Sequence, residues 1–230
     1  MDVDNFLEGK VLLIDKPLEW TSFQVVNKIR WHIKKKFGLK KIKVGHAGTL
    51  DPLATGLLIL CTGKKTKNIE TYQSQIKEYT GTIVLGATTP SYDLETEINE
   101  TFSTEHITKI LVEETIKQFI GKIQQKPPIF SAIKKDGKRL YELARKGQTT
   151  EIKSREIEVS EFEITEFKDN QVNFRVVCSK GTYIRSLAHD FGKSLNSGGH
   201  LSVLRRTKIG NFSVNNTLSI DEFIKELDSQ

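Results

Sequence analysis

The chain has 230 residues, 37% of them apolar and 28% charged, with a net charge of +6. That length makes one large domain or two small ones and buries roughly 70% of the unfolded surface, and the composition excludes a disordered or membrane protein. The longest unbroken apolar run, Leu57 to Cys61, is far short of the ~20 residues that span a bilayer, and the acidic start lacks the basic and apolar regions of a signal peptide.

In chain order, Val11 to Ile14 is a short apolar run ending at Asp15-Lys16-Pro17, which predicts a buried strand and a turn. Thr21 and Gln24 form a capping-box pattern, and Phe23, Val26, Ile29 and Ile33 recur at helix spacing. Lys34, Lys35 and Lys36 fall in the last turn, with Gly38 just beyond. Between Trp20 and Leu50 there are eight Lys or Arg and no acid, so this stretch carries +8 and the remainder −2. It reads either as a solvated lysine-rich helix face or as a surface for a polyanion. Gly45 to Pro52, with two glycines and an Asp-Pro step, reads as a shaped loop without regular structure. Leu57 to Cys61 predicts a buried strand, and Tyr79, Gly81, Ile83 and Leu85 alternate as another.

Thr104 to Ile120 reads as a helix closed by Gly121, and Ser131 to Gly147 as a polar excursion from the core. Ile157 and Val159 sit on one strand parity, Phe162 and Ile164 on the other, which predicts a bulge near Ser160. Val172, Phe174, Val176 and Cys178 alternate as a strand. Ile184, Leu187, Ala188, Phe191 and Leu195 mark a helix, with Arg185 off its buried face, and a last helix runs from about Ile220 to Leu227. Strands and helices without a regular βαβ repeat predict an α+β fold, its sheet largely antiparallel and flanked by helices. No linker or repeat is visible, so residues 1–230 are expected to form one domain.

Chemistry-bearing motifs narrow the choice. Gly63-Lys64-Lys65-Thr66 resembles a phosphate loop, but position 58 is Leu and position 65 is Lys, which removes the pattern. The five histidines show no metal-ligand spacing, so neither a metal nor a cofactor is expected. Cys61 and Cys178, without CxxC spacing, suit a reducing cytosol. Asp51, held among glycines, Thr49, Pro52 and Thr55, is either a turn residue or a rigidly presented carboxylate able to act as nucleophile or charge stabiliser. Taken alone, His46 reads as a loop hydrogen-bonder. Arg185, where Lys180-Gly181-Thr182-Tyr183 turns into a helix, suits pairing with a carboxylate, which would keep an Asp ionised. A hydrolytic glycosidase built on Asp51 would want a second carboxylate as general acid, and none is evident.

Four blocks together resemble the bacterial tRNA pseudouridine synthase B (TruB) family. They are Leu13-Ile14-Asp15-Lys16-Pro17 with Thr21-Ser22; Gly45 to Gly56; Gln125-Lys126-Pro127-Pro128 with Ser131-Ala132, Tyr141-Glu142 and Ala144-Arg145; and Cys178 to Arg185. The likeness runs from Val11 to about Leu218. It implies a pseudouridine-synthase fold and isomerisation of the uridine at position 55 of the tRNA T loop, by base flipping, a break of the N1 glycosidic bond and rejoining through C5. It implies Asp51 as the catalytic aspartate, Tyr79 as the tyrosine stacked on the base and Arg185 as the arginine paired with the aspartate. His46, Tyr183, Leu204 and Lys16 fall among the substrate-binding positions. Lys34, Lys35, Lys36, Lys40 and Lys41 are expected to contact the RNA backbone. No cofactor and no membrane are expected, and the protein is expected to be a cytoplasmic monomer. Two positions depart from the family: Glu19 stands where Gly is usual, and the loop after Gly86 has Pro90 and Thr96, although Asp93 remains. The chain is also expected to lack the C-terminal PUA-type domain of many relatives.

Overall fold

Thr21 starts the long helix as its spacing predicts. Its hydroxyl accepts from Gln24 N at 3.1 Å while Thr21 N donates to Gln24 Oε1 at 2.7 Å, so two orphan amides are satisfied reciprocally. The structure, a computed structural model, describes residues 2–131, 133–135, 137–148 and 150–229. Ala132 of the Ser131-Ala132 step lies outside the described residues.

The elements are α1 (Val3–Glu8), β1 (Val11–Lys16), α2 (Ser22–Lys36), β2 (Val44–His46), β3 (Ala54–Thr62), α3 (Ile69–Gln73), β4 (Lys77–Leu85), β5 (Ala87–Thr88) and β6 (Glu100–Thr101). Then come α4 (Lys109–Ile116), β7 (Gly121–Gln125), β8 (Lys134–Lys135), β9 (Lys138–Arg139), α5 (Leu140–Ala144), β10 (Arg155–Lys168), β11 (Gln171–Cys178), α6 (Ile184–Ser194), β12 (Gly199–Ile209), β13 (Phe212–Ser213) and α7 (Ile220–Asp228). They form two compact units, Met1–Tyr79 with Leu204–Gln230, and Thr80–Val203, so that β4 and β12 contribute to both. β1 and β2 pair antiparallel with β3, β10 pairs antiparallel with β11 and β7, and β12 meets β3 in parallel, a mostly antiparallel mixture that agrees with the α+β expectation.

In the first unit β3 lies between β1, antiparallel from Val11↔Cys61 to Lys16↔Gly56, and β12, parallel with Leu204↔Ala54 and Arg206↔Gly56. Leu58 and Leu60 face a core with Phe6, Val26, Ile29, Ile33 and Phe223 from α1, α2 and α7. Leu57, Ile59 and Cys61 face a second core with Ala47 and Ile209. A strand buried on both faces shows no alternation, which is why it reads as an apolar run. Gly56 has φ +102°, and a Cβ there would meet Arg206 O at 2.3 Å, so only glycine lets β12 approach.

Two expectations in this unit are corrected. Phe23 is 63% exposed; Ser22 and Val25 take the core side instead, because Phe23 projects a full residue step away from it. Gly45 and His46 are not loop but, with Val44, form β2, paired Val44↔Thr62 to His46↔Leu60, since the free edge of β3 there needs hydrogen-bond partners. The loop proper runs from Ala47 to Leu53.

Glu19 explains its own departure from the family. Its φ is +65°, in the left-handed region, and its N–H donates to Pro52 O at 2.9 Å. A side chain held there costs about 1 kcal/mol that glycine avoids. Glu19→Gly is therefore expected to raise the melting temperature by about 2–4 °C, read by calorimetry; an unchanged or lower value would remove this account.

In the second unit β4, β11, β10 and β7 are successive neighbours. The predicted bulge is present: the register between β10 and β11 shifts between Val159 and Glu161. Beyond it Phe162 turns inward onto Phe174 (ring centroids 5.7 Å) and Phe191 (6.1 Å). The fourth helix is shorter than its pattern: Thr108 caps it by accepting from Leu111 N, so it begins at Lys109, and it gives way after Ile116 to a 3₁₀ turn. Within the polar stretch from Ser131, α5 buries Leu140.

Candidate active site

The Asp51 loop is fastened to its unit through its carbonyls. Lys16, fully buried, donates from Nζ to Pro17 O (2.8 Å), Trp20 O (2.6 Å) and Pro52 O (3.2 Å). Arg206, also buried, donates from Nε to Leu57 O (2.8 Å) and from Nη2 to Gly48 O (3.1 Å). Ser22, first residue of α2, accepts from Leu50 N at 2.9 Å and donates to Leu50 O at 3.1 Å. Ala54 N closes the turn on Asp51 O at 3.0 Å. The β1–α2 segment near the start of the chain and β12 near residue 206 thus together hold the loop of the half-buried Asp51. Charged donors to buried carbonyls are among the stronger hydrogen bonds available.

Electrostatics follow from this packing. Burial lowers the Lys16 pKa to about 8, the Asp51 carboxylate opposes that fall, and Arg206 adds to it. His46, half-buried at the end of β2, is pushed below the usual histidine range chiefly by burial and then by Arg206, against a backbone hydrogen bond with Gly48, so it is neutral at pH 7. Leu204 is buried opposite Ala54, three residues past Asp51, and Tyr79 is buried on β4. The next strand residue, Arg205, grips Asp15 with both Nη atoms, at 3.1 and 2.6 Å. The first unit therefore contains Lys16, His46, Asp51, Tyr79 and Leu204. Sequence reasoning missed Arg206; its signal is the rare placing of two adjacent arginines on an apolar strand.

Arg185 and Tyr183 belong to the second unit. Arg185 was expected off the buried face of α6, yet it is 4% exposed. Backbone oxygens solvate it in place of water: Nη1 donates to Ser91 O at 3.0 Å and Nη2 to Phe130 O at 2.8 Å, while Nε lies 3.5 Å from Asp93 Oδ2. Asp93, 5% exposed, also accepts from Glu95 N through Oδ1, and its carbonyl takes the hydroxyls of Thr89 and Ser91. Tyr92, with φ +65°, stacks on His189 at 3.9 Å. The loop after Gly86 thus builds a carboxylate site for Arg185 on Asp93, the residue of this loop that keeps the family pattern. Tyr183 caps α6; the Gln125 amide clamps both its N (2.8 Å) and O (3.0 Å), and the Arg155 guanidinium lies 4.8 Å from its ring. A cavity of about 600 Å³ in this unit, lined by Tyr92, Phe102, His189 and Lys193 among others, contains none of the expected site residues.

Of the cationic segment, Lys35, Lys40 and Lys41 are exposed, and Lys34 and Lys36 half-buried. Lys36 Nζ donates to Asp228 O of α7 at 3.0 Å. Among the described residues no group of three or more His, Cys, Asp or Glu could hold a metal ion, and no helix is long and apolar enough to cross a membrane.

Residues 34–184 match the family model described as TruB family pseudouridylate synthase (N terminal domain), and residues 185–228 that of the tRNA pseudouridylate synthase B C-terminal domain. The chain belongs to the TruB family. A tRNA pseudouridine synthase B of Flavobacterium johnsoniae is 64% identical over 228 residues, covering 99% of this chain and 100% of that one. One of Phocaeicola vulgatus is 59% identical over 226 residues, covering 98% and 96%. Among solved structures, a chain of a Cbf5-Nop10-Gar1 complex aligns with a TM-score of 0.73 at 29% identity, over 98% of this chain and 56% of that one. A chain of an H/ACA RNP bound to a substrate RNA containing 2'-deoxyuridine aligns with a TM-score of 0.70 at 27% identity, over 98% and 55%. This TruB chain thus spans about half the length of those two. The pseudouridine-synthase fold expected from the sequence is the fold observed.

Proposed function

We propose that this TruB-family chain converts uridine to pseudouridine at position 55 in the T loop of tRNA, as a cytoplasmic monomer without a cofactor. The observation that carries the reading is Asp51, presented on a loop fastened by Lys16 and Arg206 in a chain matched end to end by tRNA pseudouridine synthase B proteins. The reaction breaks the N1–C1′ bond, the electron pair leaving on uracil N1. It then forms a C5–C1′ bond, and the C5 proton is lost as N1 gains one. Nothing is oxidised or reduced.

Taking the uridine out of its stack costs a few kcal/mol, and an aromatic platform at Tyr79 returns roughly 1–3 kcal/mol. The Asp51 carboxylate acts at C1′ as the base departs, either as nucleophile or by stabilising the cationic sugar. Arg185, held by Asp93, keeps a fixed positive charge in the second unit. Leu204 and Tyr183 line the uridine, Lys16 braces the loop, and His46 meets the displaced strand as a neutral ring. Lys34, Lys35, Lys36, Lys40 and Lys41 lie along the phosphates, which makes binding sensitive to salt. The test is carbodiimide mapping of unmodified tRNA after incubation with the protein. A new pseudouridine at position 55 is expected; none there, or free uracil in its place, would end this reading.

A further inference from the structure

Trp31 sits on the side of its helix that the fold does not use. The buried face of α2 is Ser22, Val25, Val26, Ile29 and Ile33. At 100° per residue Trp31 projects roughly 180° from the centre of that face. It is 52% exposed, and Gln24, Lys28 and Lys35, also exposed, share its stripe. Lys35 Nζ lies 4.9 Å from the centre of the indole, and the ring meets His32 edge-on with centroids 4.6 Å apart. Burial and then Lys28 hold His32 below its usual pKa, so it adds no charge at pH 7. From Trp20 to Leu50 there is no acidic residue at all.

An exposed aromatic ring among cations on a helix face is the combination that binds single-stranded nucleic acid: a π-face for a base, with lysines for the flanking phosphates. The position is also suitable. Ser22, at the head of the same helix, holds Leu50 beside Asp51. Trp31 is nine residues further along, on the order of 13 Å of axial rise and on the opposite side of the helix from Ser22, a span that an RNA engaged at Asp51 can cover with a few nucleotides.

We propose that this face is a second RNA contact, in which an unpaired nucleobase of the substrate stacks on Trp31 while Lys28 and Lys35 take its phosphates. The inference rests on the reading that the substrate is RNA. Lys35, on a flexible exposed stem, covers the ring in the free protein, and an arriving base displaces it onto a phosphate. A second copy of the chain is the poorer occupant, because it would bring two +8 segments together.

The chain has two tryptophans, so Trp20→Phe leaves Trp31 as the sole indole reporter. Titration of that protein with unmodified tRNA transcript is expected to quench its emission saturably, at the same concentrations that saturate filter binding. Trp31→Ala is expected to weaken binding and raise KM roughly 5- to 150-fold with kcat unchanged, and Trp31→Phe to restore most of the loss. The melting temperature of Trp31→Ala should match the wild type, since the residue is on the solvent face. Equal RNA affinity for Trp31→Ala and wild type, with no quenching, would overturn the proposal. So would a dimer that disperses on Trp31→Ala while RNA affinity holds. Quenching and affinity are read without turnover, so a protein that binds RNA yet makes no pseudouridine would refute the proposed reaction and still decide this contact.

Discussion

Asp51→Asn is expected to lower pseudouridine formation by roughly 10⁴-fold or more, the scale at which removal of a reacting carboxylate or nucleophile is felt. Affinity for unmodified tRNA should stay within a few-fold of wild type, because the amide is isosteric and the ties on the loop are made by its backbone. Lys16 still donates to Pro52 O and Arg206 to Gly48 O when the charge is gone. The measurement is single-turnover tritium release from 5-labelled T-arm RNA, with binding read separately on filters. Turnover within tenfold of wild type would refute the assignment. Loss of binding along with turnover would instead make Asp51 a structural residue.

The second large effect is expected at Asp93. Arg185 is buried with Asp93 Oδ2 at 3.5 Å, and Asp93→Asn removes that negative charge from beside a cation held in low dielectric. Breaking such a pair costs about 3–5 kcal/mol, far more than an exposed pair. Asp93→Asn is therefore expected to lower the unfolding free energy by about 3 kcal/mol in urea titrations and to reduce turnover. The double-mutant cycle separates pairing from general damage: Asp93→Asn with Arg185→Gln should cost clearly less than the two single changes added together. Additivity within about 0.5 kcal/mol would show that the pair does not act as a unit.

Local signals in the sequence were legible where local physics decides the outcome. The Thr21/Gln24 cap, the positive-φ Gly38 after α2 and the bulge at Ser160 depend on neighbours in the chain, and all three are where their patterns put them. Arg185 was misplaced for the opposite reason. A helical wheel puts it off the apolar stripe, but the oxygens that let it be buried come from Ser91 and Phe130, 94 and 55 residues away. Arg206 went unread and Asp93, though noted, was given no role on the same ground, since each is defined by a partner that no window contains. Gly45 and His46 looked like loop because glycine spoils strand propensity, yet an unpaired stretch of β3 outweighs that preference. Tyr79, Tyr183 and Leu204 were named through family resemblance, as were the roles of Asp51 and Arg185; the residues alone gave a carboxylate on a shaped loop and an arginine suited to pair with a carboxylate.

The parallel pairing of β12 with β3 also sets an order of events during synthesis. Arg206 reaches Gly48 across 158 residues and Leu57 across 149. Pairings of that separation form late, because the chain entropy of closing so long a loop must be met first. A nascent chain emerging from the ribosome therefore carries the Asp51 segment long before the strand that fastens it. Arg205 and Arg206 both lie on β12, so the Asp51 segment gains this brace only once that strand has been made.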